Sequence, residues 1–225
     1  MGSSGSAWYN RVVKCPLCGA RKGKRQCPAL SSSICPVCCG ERRLVEIACP
    51  DRCAYLGPGI ENDLKRDLET YLRRQEPAAA RRWLSALQNL LPLLDALEGA
   101  IVESAASARD LTDAETLSAL DALRSAQSSA AAGLIWQPSA VSPRVEMLAR
   151  ALNEAIQGLQ ALVREKGGSA IPAEAILEAV TVTEERARFH AGQDGGGFVR
   201  FLRRTRPLAA PGRSEGAGPR VILAG

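Results

Sequence analysis

Beyond the first quarter of the chain, apolar positions recur at helical spacing. Ile60, Leu64, Leu68 and Leu72, with Tyr71 beside them, follow the i, i+4, i+8 rule of one helix face, and Lys65, Arg66, Asp67 and Glu69 fill the other side. Pro77 suits a first-turn position and opens a second run of Trp83, Leu84, Leu87, Leu90, Leu91, Leu94, Leu97 and Ile101, which Pro92 must kink or interrupt. Thr112-Asp-Ala-Glu115 has the spacing of a capping box and leads into Leu117, Leu120 and Leu123. That stripe thins into an Ala/Ser-rich stretch ahead of Leu134-Ile135-Trp136. Ser142-Pro143 reads as cap and first turn for Val145, Leu148, Leu152, Ile156, Leu159 and Leu162/Val163, and Gly167-Gly168 supplies the stop. A further helix is expected over 172–190. Phe198, Val199, Phe201 and Leu202 then make one short amphipathic turn beyond a glycine linker at 192–197.

This pattern predicts a mainly α protein: a bundle of about five helices over 60–191, after a break at Gly57-Pro58-Gly59. Residues 192–225 are expected to form a Gly/Pro/Arg-rich tail with one short helix, without periodicity from Pro207 to Val221-Ile222-Leu223. Residues 1–9 read as a flexible leader. No stretch reaches the ~18 apolar residues of a transmembrane helix, and the start lacks the charged and apolar regions of a signal peptide. A soluble, cytoplasmic protein is expected.

The cysteines change the picture for residues 10–56. All eight lie between Cys15 and Cys53: Cys15, Cys18, Cys27, Cys35, Cys38, Cys39, Cys49 and Cys53. Eight thiols match two tetrahedral four-cysteine zinc sites with nothing left over. Cys15-x2-Cys18 and Cys35-x2-Cys38 stand sixteen residues apart, the spacing of one such site, because a tight turn aims both sulfurs of a pair at one ion. Gly19 and Gly40 follow the turns. The second site takes Cys27, Cys39, Cys49 and Cys53, with Pro50 placed to start a helix that carries the last two on one face. Cys27 falls between the two pairs of the first site, so the sites interleave. Adjacent Cys38 and Cys39 serve one site each, and spacing alone leaves open which serves which. A secreted disulfide framework, a thioredoxin-like redox pair and an iron–sulfur cluster fit the pattern less well than zinc.

Charge is segregated. The formal net charge is +7 over residues 1–43, −7 over 44–199 and +5 over 200–225. Eight thiolates on two zinc ions would bring the whole chain from +5 to about +1, so the basic N-terminal residues balance the metal sites. The same residues offer a second reading: Arg21, Lys22, Lys24 and Arg25 lie on a loop placed to contact phosphates, and Arg200, Arg203, Arg204 and Arg206 could add a second contact. Trp8 and Tyr9 are the nearest candidates for stacking on bases, so such binding is expected to be weakly sequence-specific.

The Cys-x2-Cys start, the interleaved Cys27 and the final Cys49-x3-Cys53 resemble the two-zinc, cross-braced treble-clef fingers of the B-box, MYND and HIT kind. The Cys38-Cys39-Gly40 and the run from Arg43 to Pro50 are similar to an N-terminal finger of uncharacterised bacterial proteins. The likeness covers about a fifth of the chain, and the chain departs from the first three families in having no histidine ligand and in its cysteine doublet. It implies protein binding rather than catalysis.

Little else suggests catalysis. A zinc ion held by four thiolates keeps no position for water. The only histidine, His190, ends a helix beside Phe189, where a helix-end or surface role is expected. Gly19-Ala-Arg-Lys-Gly23-Lys24 is one residue short of a P-loop and lacks its hydroxyl. The carboxylates read as a solvated face, and Trp83 and Trp136 as core. The sequence therefore points to a non-enzymatic protein holding two zinc ions, whose finger and bundle make a protein-interaction or scaffolding surface. Sequence-nonspecific nucleic-acid binding is the alternative.

Overall fold

The computed structural model describes residues 13–131, 142–191 and 197–207. The leader with Trp8 and Tyr9, the Leu134-Ile135-Trp136 segment, the glycines at 192–196 and the tail from 208 lie outside the described residues. The order is β1 (Arg25–Cys27), β2 (Ser32–Ile34), α1 (Pro36–Arg42), α2 (Leu56–Arg74), α3 (Pro77–Asn89), α4 (Leu91–Ser107), α5 (Asp113–Ala131), α6 (Pro143–Glu165), α7 (Ala173–Ala191) and α8 (Gly197–Thr205). The fold is mainly α. Its two-stranded antiparallel sheet, Arg25 opposite Ile34 and Cys27 opposite Ser32, sits in the cysteine-rich part.

Local signals set most boundaries. The Thr112 hydroxyl accepts from the Glu115 amide at 3.2 Å, while Glu115 accepts from the Thr112 amide at 2.9 Å, closing the capping box. Ser142 accepts from the Val145 amide at 3.3 Å and Pro143 begins α6. At the other end Gly167 turns left-handed (φ 74°), and the Gly168 amide closes onto the Val163 carbonyl at 2.8 Å. Pro92 splits its apolar run: α3 stops at Asn89, and α4 takes the proline into its first turn, where a missing N–H costs nothing. Pro58 is accommodated in the same way. Gly57-Pro58-Gly59 stands inside the first turn of α2 rather than before it, so the cysteine-rich part runs directly into the helix.

Seven helices follow α1 among the described residues, where about five were expected; the proline break and α8 make the difference. Two of them form the centre. Helix α4 is buried nearly all round, through Leu94, Leu97, Ile101 and Ala105. Helix α7 is buried at Ile176, Ala179, Val180, Ala187 and Phe189. Helices α5 and α6 pack on these and on each other, and α8 lies over α7 and α4. Short as it is, α8 is core rather than tail: Phe198 and Leu202 are 0% and 1% exposed. Asp113, in the first turn of α5, accepts from the Phe198 and Val199 amides at 2.8 and 3.0 Å and so caps α8 as well. Gly197 is obligatory there, since its φ is +74° and a Cβ would come within 2.2 Å of the Asp113 carboxylate. No helix among the described residues is long and apolar enough to cross a membrane.

Helix α2 departs from its expected facing. Its fully buried residues are Leu56 and Tyr71. Asp67, expected on the solvent side, is turned toward α7, and Asp63 toward α8, whereas Leu64 and Leu72 remain 39% and 37% exposed. The cause is a set of arginines on the facing helices. Tyr71 meets Phe189 edge-on at 5.0 Å, and its buried hydroxyl has no hydrogen-bond partner among the described residues. Burial first, then the charge of Glu185, pushes this phenol up to about 12. Tyr71→Phe is therefore expected to leave stability at pH 7 unchanged or to raise it by up to about 1 kcal/mol. The folded-state value lies above the ordinary ~10, so the wild-type contribution is complete below pH 10 and is lost as pH rises toward 12. Urea titrations at pH 7 and pH 11 should show the advantage of the phenylalanine variant over the wild type growing in alkali.

Candidate metal centre

The first cysteine pair is placed by a closed turn. The Cys15 amide donates to Arg21 O, and the Gly19 amide donates to Cys15 O, both at 2.8 Å, with Gly19 left-handed (φ 63°). The loop feeds β1 through Gly23, whose absent Cβ would lie 2.4 Å from Ser33 O, so the approach of the two backbones requires glycine. The second pair is placed by the start of α1. Cys35 is its N-cap: its sulfur accepts from the Cys38 amide at 3.3 Å, and Pro36 and Val37 complete the first turn. Gly40 is helical, so it does not shape a turn. Leu44, at φ 59°, takes the left-handed position beyond α1 instead.

These two turns bring the Cys15, Cys18, Cys35 and Cys38 sulfurs within 4.8 Å of one another, with Cys18 and Cys35 4.0 Å apart. Four sulfurs at ~2.3 Å around one tetrahedral ion would stand about 3.8 Å apart, so the cluster could hold one metal ion with little adjustment. The structure thus answers the question left by the doublet: Cys38 belongs to the first cluster. Cys15, Cys35 and Cys38 are buried, so the sulfurs face each other more than water.

The thiols are unlike one another. Burial raises Cys15, but the backbone of Cys35, Leu17 and Cys18 outweighs it and brings the thiol down to about 6. Burial, followed by the Cys35, Cys18 and Cys15 sulfurs, pushes Cys38 up to about 12. Without an ion, four neighbouring thiols cannot all be thiolates, and the cluster keeps a proton. A metal must expel that proton, so affinity rises with pH. The exposed Arg21 guanidinium lies beside Cys35 and in the field of Cys35, Cys18 and Cys38, which holds it above the ordinary value. It is an outer-shell partner of the cluster.

The other four cysteines are not brought together in the same way: among the described residues the four-sulfur cluster found is that of Cys15, Cys18, Cys35 and Cys38. Cys27 on β1 and Cys39 on α1 are buried with Ile34 and Ile47, and Cys49 packs against them. Burial, with the neighbouring Cys53, Cys27 and Cys39 thiols, raises Cys49. The expected helix at Pro50 is absent: Cys49 and Cys53 flank a turn closed by the Cys53 amide on Pro50 O at 2.9 Å, and α2 begins only at Leu56.

The segment after α1 joins this cysteine-rich part to the helices. Arg43, 2% exposed, donates to Gly59 O at 3.0 Å and pairs with Asp63. A Cβ at Gly59 would fall 1.8 Å from the Arg43 guanidinium, so a side chain there would displace that contact. Arg204 of α8 reaches the same Asp63 at 2.9 Å, Arg200 donates to Glu41 O at 3.2 Å, and Arg203 donates to Val45 O at 3.4 Å. Arg206 binds Asp95 at 2.8 Å and Glu98 at 2.7 Å. The four arginines assigned to phosphate contacts in a tail are thus bound to protein groups. Of the basic loop in the cysteine-rich part, Arg21 faces the thiols and Arg25 lies over the Tyr55 ring at 5.0 Å, while Lys22 and Lys24 are exposed.

A buried ionic cluster beneath the joint was not legible as a site. Arg186 on α7 pairs with Asp67 at 2.9 Å and with Glu98, and its guanidinium lies 4.4 Å over the Trp83 ring. His190 is buried rather than at the surface, 2.9 Å from Asp67 and stacked on Phe201 at 4.4 Å. The one available signal was Glu98, a lone charge inside the apolar stretch Leu97 to Ile101.

Fold and site together define a class: a mainly helical protein with a cysteine-rich N-terminal part that could bind a metal ion. No known protein family, curated protein or solved structure matches the chain.

Proposed function

We propose that the chain is a non-enzymatic zinc protein whose finger is structural, and that finger and helices together form a protein-interaction or scaffolding unit. The observation that carries this reading is the four-sulfur cluster at Cys15, Cys18, Cys35 and Cys38, which would close the coordination sphere of a tetrahedral ion and leave no position for a reacting water. A second zinc is held by Cys27, Cys39, Cys49 and Cys53, a set supported by the influence of Cys53, Cys27 and Cys39 on the Cys49 thiol and by the shared burial of Cys27, Cys39 and Cys49. With two ions so held, the finger has the interleaved arrangement of a cross-braced treble clef. Metal binding then supplies the folding free energy that so short a segment cannot obtain from burial.

The nucleic-acid reading retains Lys22 and Lys24 on the exposed loop, but loses Arg21 to the thiols and the α8 arginines to Asp63, Glu46, Asp95 and Glu98. A gel-shift titration with single- and double-stranded oligonucleotides at 50 and 200 mM salt separates the two readings. Protein interaction expects no shift at either concentration. Binding that collapses at the higher salt and is lost in Lys22→Glu/Lys24→Glu would establish the nucleic-acid reading instead.

A further inference from the structure

Helix α2 is amphipathic, yet its apolar stripe is not spent inside the fold. Of its nineteen residues only Leu56 and Tyr71 are fully buried, and Leu64 and Leu72 are exposed, with Leu68 between them partly covered. Leu84 of α3, a helix in contact with α2, is likewise 41% exposed. The body grips α2 by its other side, through Asp63 and Asp67.

Beside the leucines runs a second stripe at four-residue spacing: Glu61, Lys65, Glu69 and Arg73, alternating in sign. All four are exposed, and none forms an ion pair or hydrogen bond among the described residues. Two antiparallel helices packed face to face bring the same flank of each copy together. An alternating flank read against its own reverse then places Glu61 opposite Arg73 of the second copy and Lys65 opposite Glu69 of the second copy. The leucines obey the same reversal: Leu64 meets Leu72 of the second copy, and Leu68 meets itself. The centres of the two registers differ by one residue, so with the leucines aligned the charged partners stand about 3 Å out of line along the helix, within the reach of Lys, Arg and Glu side chains. A heterologous partner has no reason to require a stripe that is its own complement, whereas a two-fold interface requires one.

From this we infer that α2 is a dimerisation helix, and that the chain pairs with a second copy through an antiparallel α2–α2 contact centred near Leu68. The inference is independent of the metal reading, because Glu61 to Arg73 lie beyond the cysteines.

Sedimentation velocity on the full zinc-loaded chain over a hundredfold range of micromolar concentrations tests it. The wild type should approach twice the chain mass. Leu72→Glu, on an exposed position, should raise the dissociation constant by at least about a hundredfold, since two copies of the side chain leave the contact. Lys65→Glu turns two attractive pairs into repulsive ones and should weaken it about tenfold. Lys65→Glu/Glu69→Lys, which restores the complement, should recover the wild-type constant. Circular dichroism should show unchanged helicity in all three variants. A wild type that stays monomeric, a dimer indifferent to Leu72→Glu, or a charge swap that fails to recover the loss would each overturn the inference.

Discussion

Cys38→Ser is expected to cost the chain its N-terminal finger while leaving the helical body folded. Cys38 contributes both a sulfur to the four-thiol cluster and the amide that holds the Cys35 sulfur in place. A serine oxygen is a poorer and shorter ligand, and apparent binding free energies for structural zinc run to about 10–16 kcal/mol, far above what a two-stranded sheet and one short helix can supply by burial. Hydrogen exchange should therefore show amide protection lost across residues 24–47. The body has its own core around α4 and α7 and should retain its protection there. Helix α8 should fall between these outcomes: Arg200 and Arg203 lose Glu41 and Val45, but Asp113 still caps the helix and Phe198 and Leu202 still anchor it. Unchanged protection in the hairpin and α1 would mean that the cluster is not what folds the finger.

The second large effect is expected at Arg186. Its side chain is 4% exposed, as is that of Glu98, and Asp67 completes the buried group. Arg186→Met should destabilise the body by about 3–5 kcal/mol, because it strands carboxylates away from water. Arg206 and His190 remain beside Glu98 and Asp67, which holds the loss toward the lower end of that range. Adding Glu98→Leu should recover part of the loss by removing one stranded charge. Urea denaturation followed by far-ultraviolet circular dichroism checks both. A double variant no better than Arg186→Met alone would place the loss in the stacking on Trp83 rather than in the ion pairs.

Helices that obey a local rule were readable in the chain. The capping box at Thr112, the Ser142-Pro143 start and the Gly167 stop each appear where the residues indicate, because such signals act within one turn of backbone. Elements decided by distant partners were not. The pairing of Asp63 with Arg43 and Arg204, across 20 and 141 positions, turns α2 by its polar side toward the body, which the alternation of leucines and charges alone cannot reveal. Helix α8 read as a tail because its glycine approach and its cap at Asp113 depend on a residue 85 positions away. In the finger, spacing gave the pairs Cys15/Cys18 and Cys35/Cys38, but the membership of Cys38 rather than Cys39 required the helical phase of α1.

X-ray absorption at the zinc edge of the full-length protein tests the account most directly. Closed, structural sites predict zinc in a shell of four sulfurs at about 2.3 Å with no lighter neighbour. A shorter oxygen or nitrogen distance near 2.0–2.1 Å would mean an open coordination position and would contradict it.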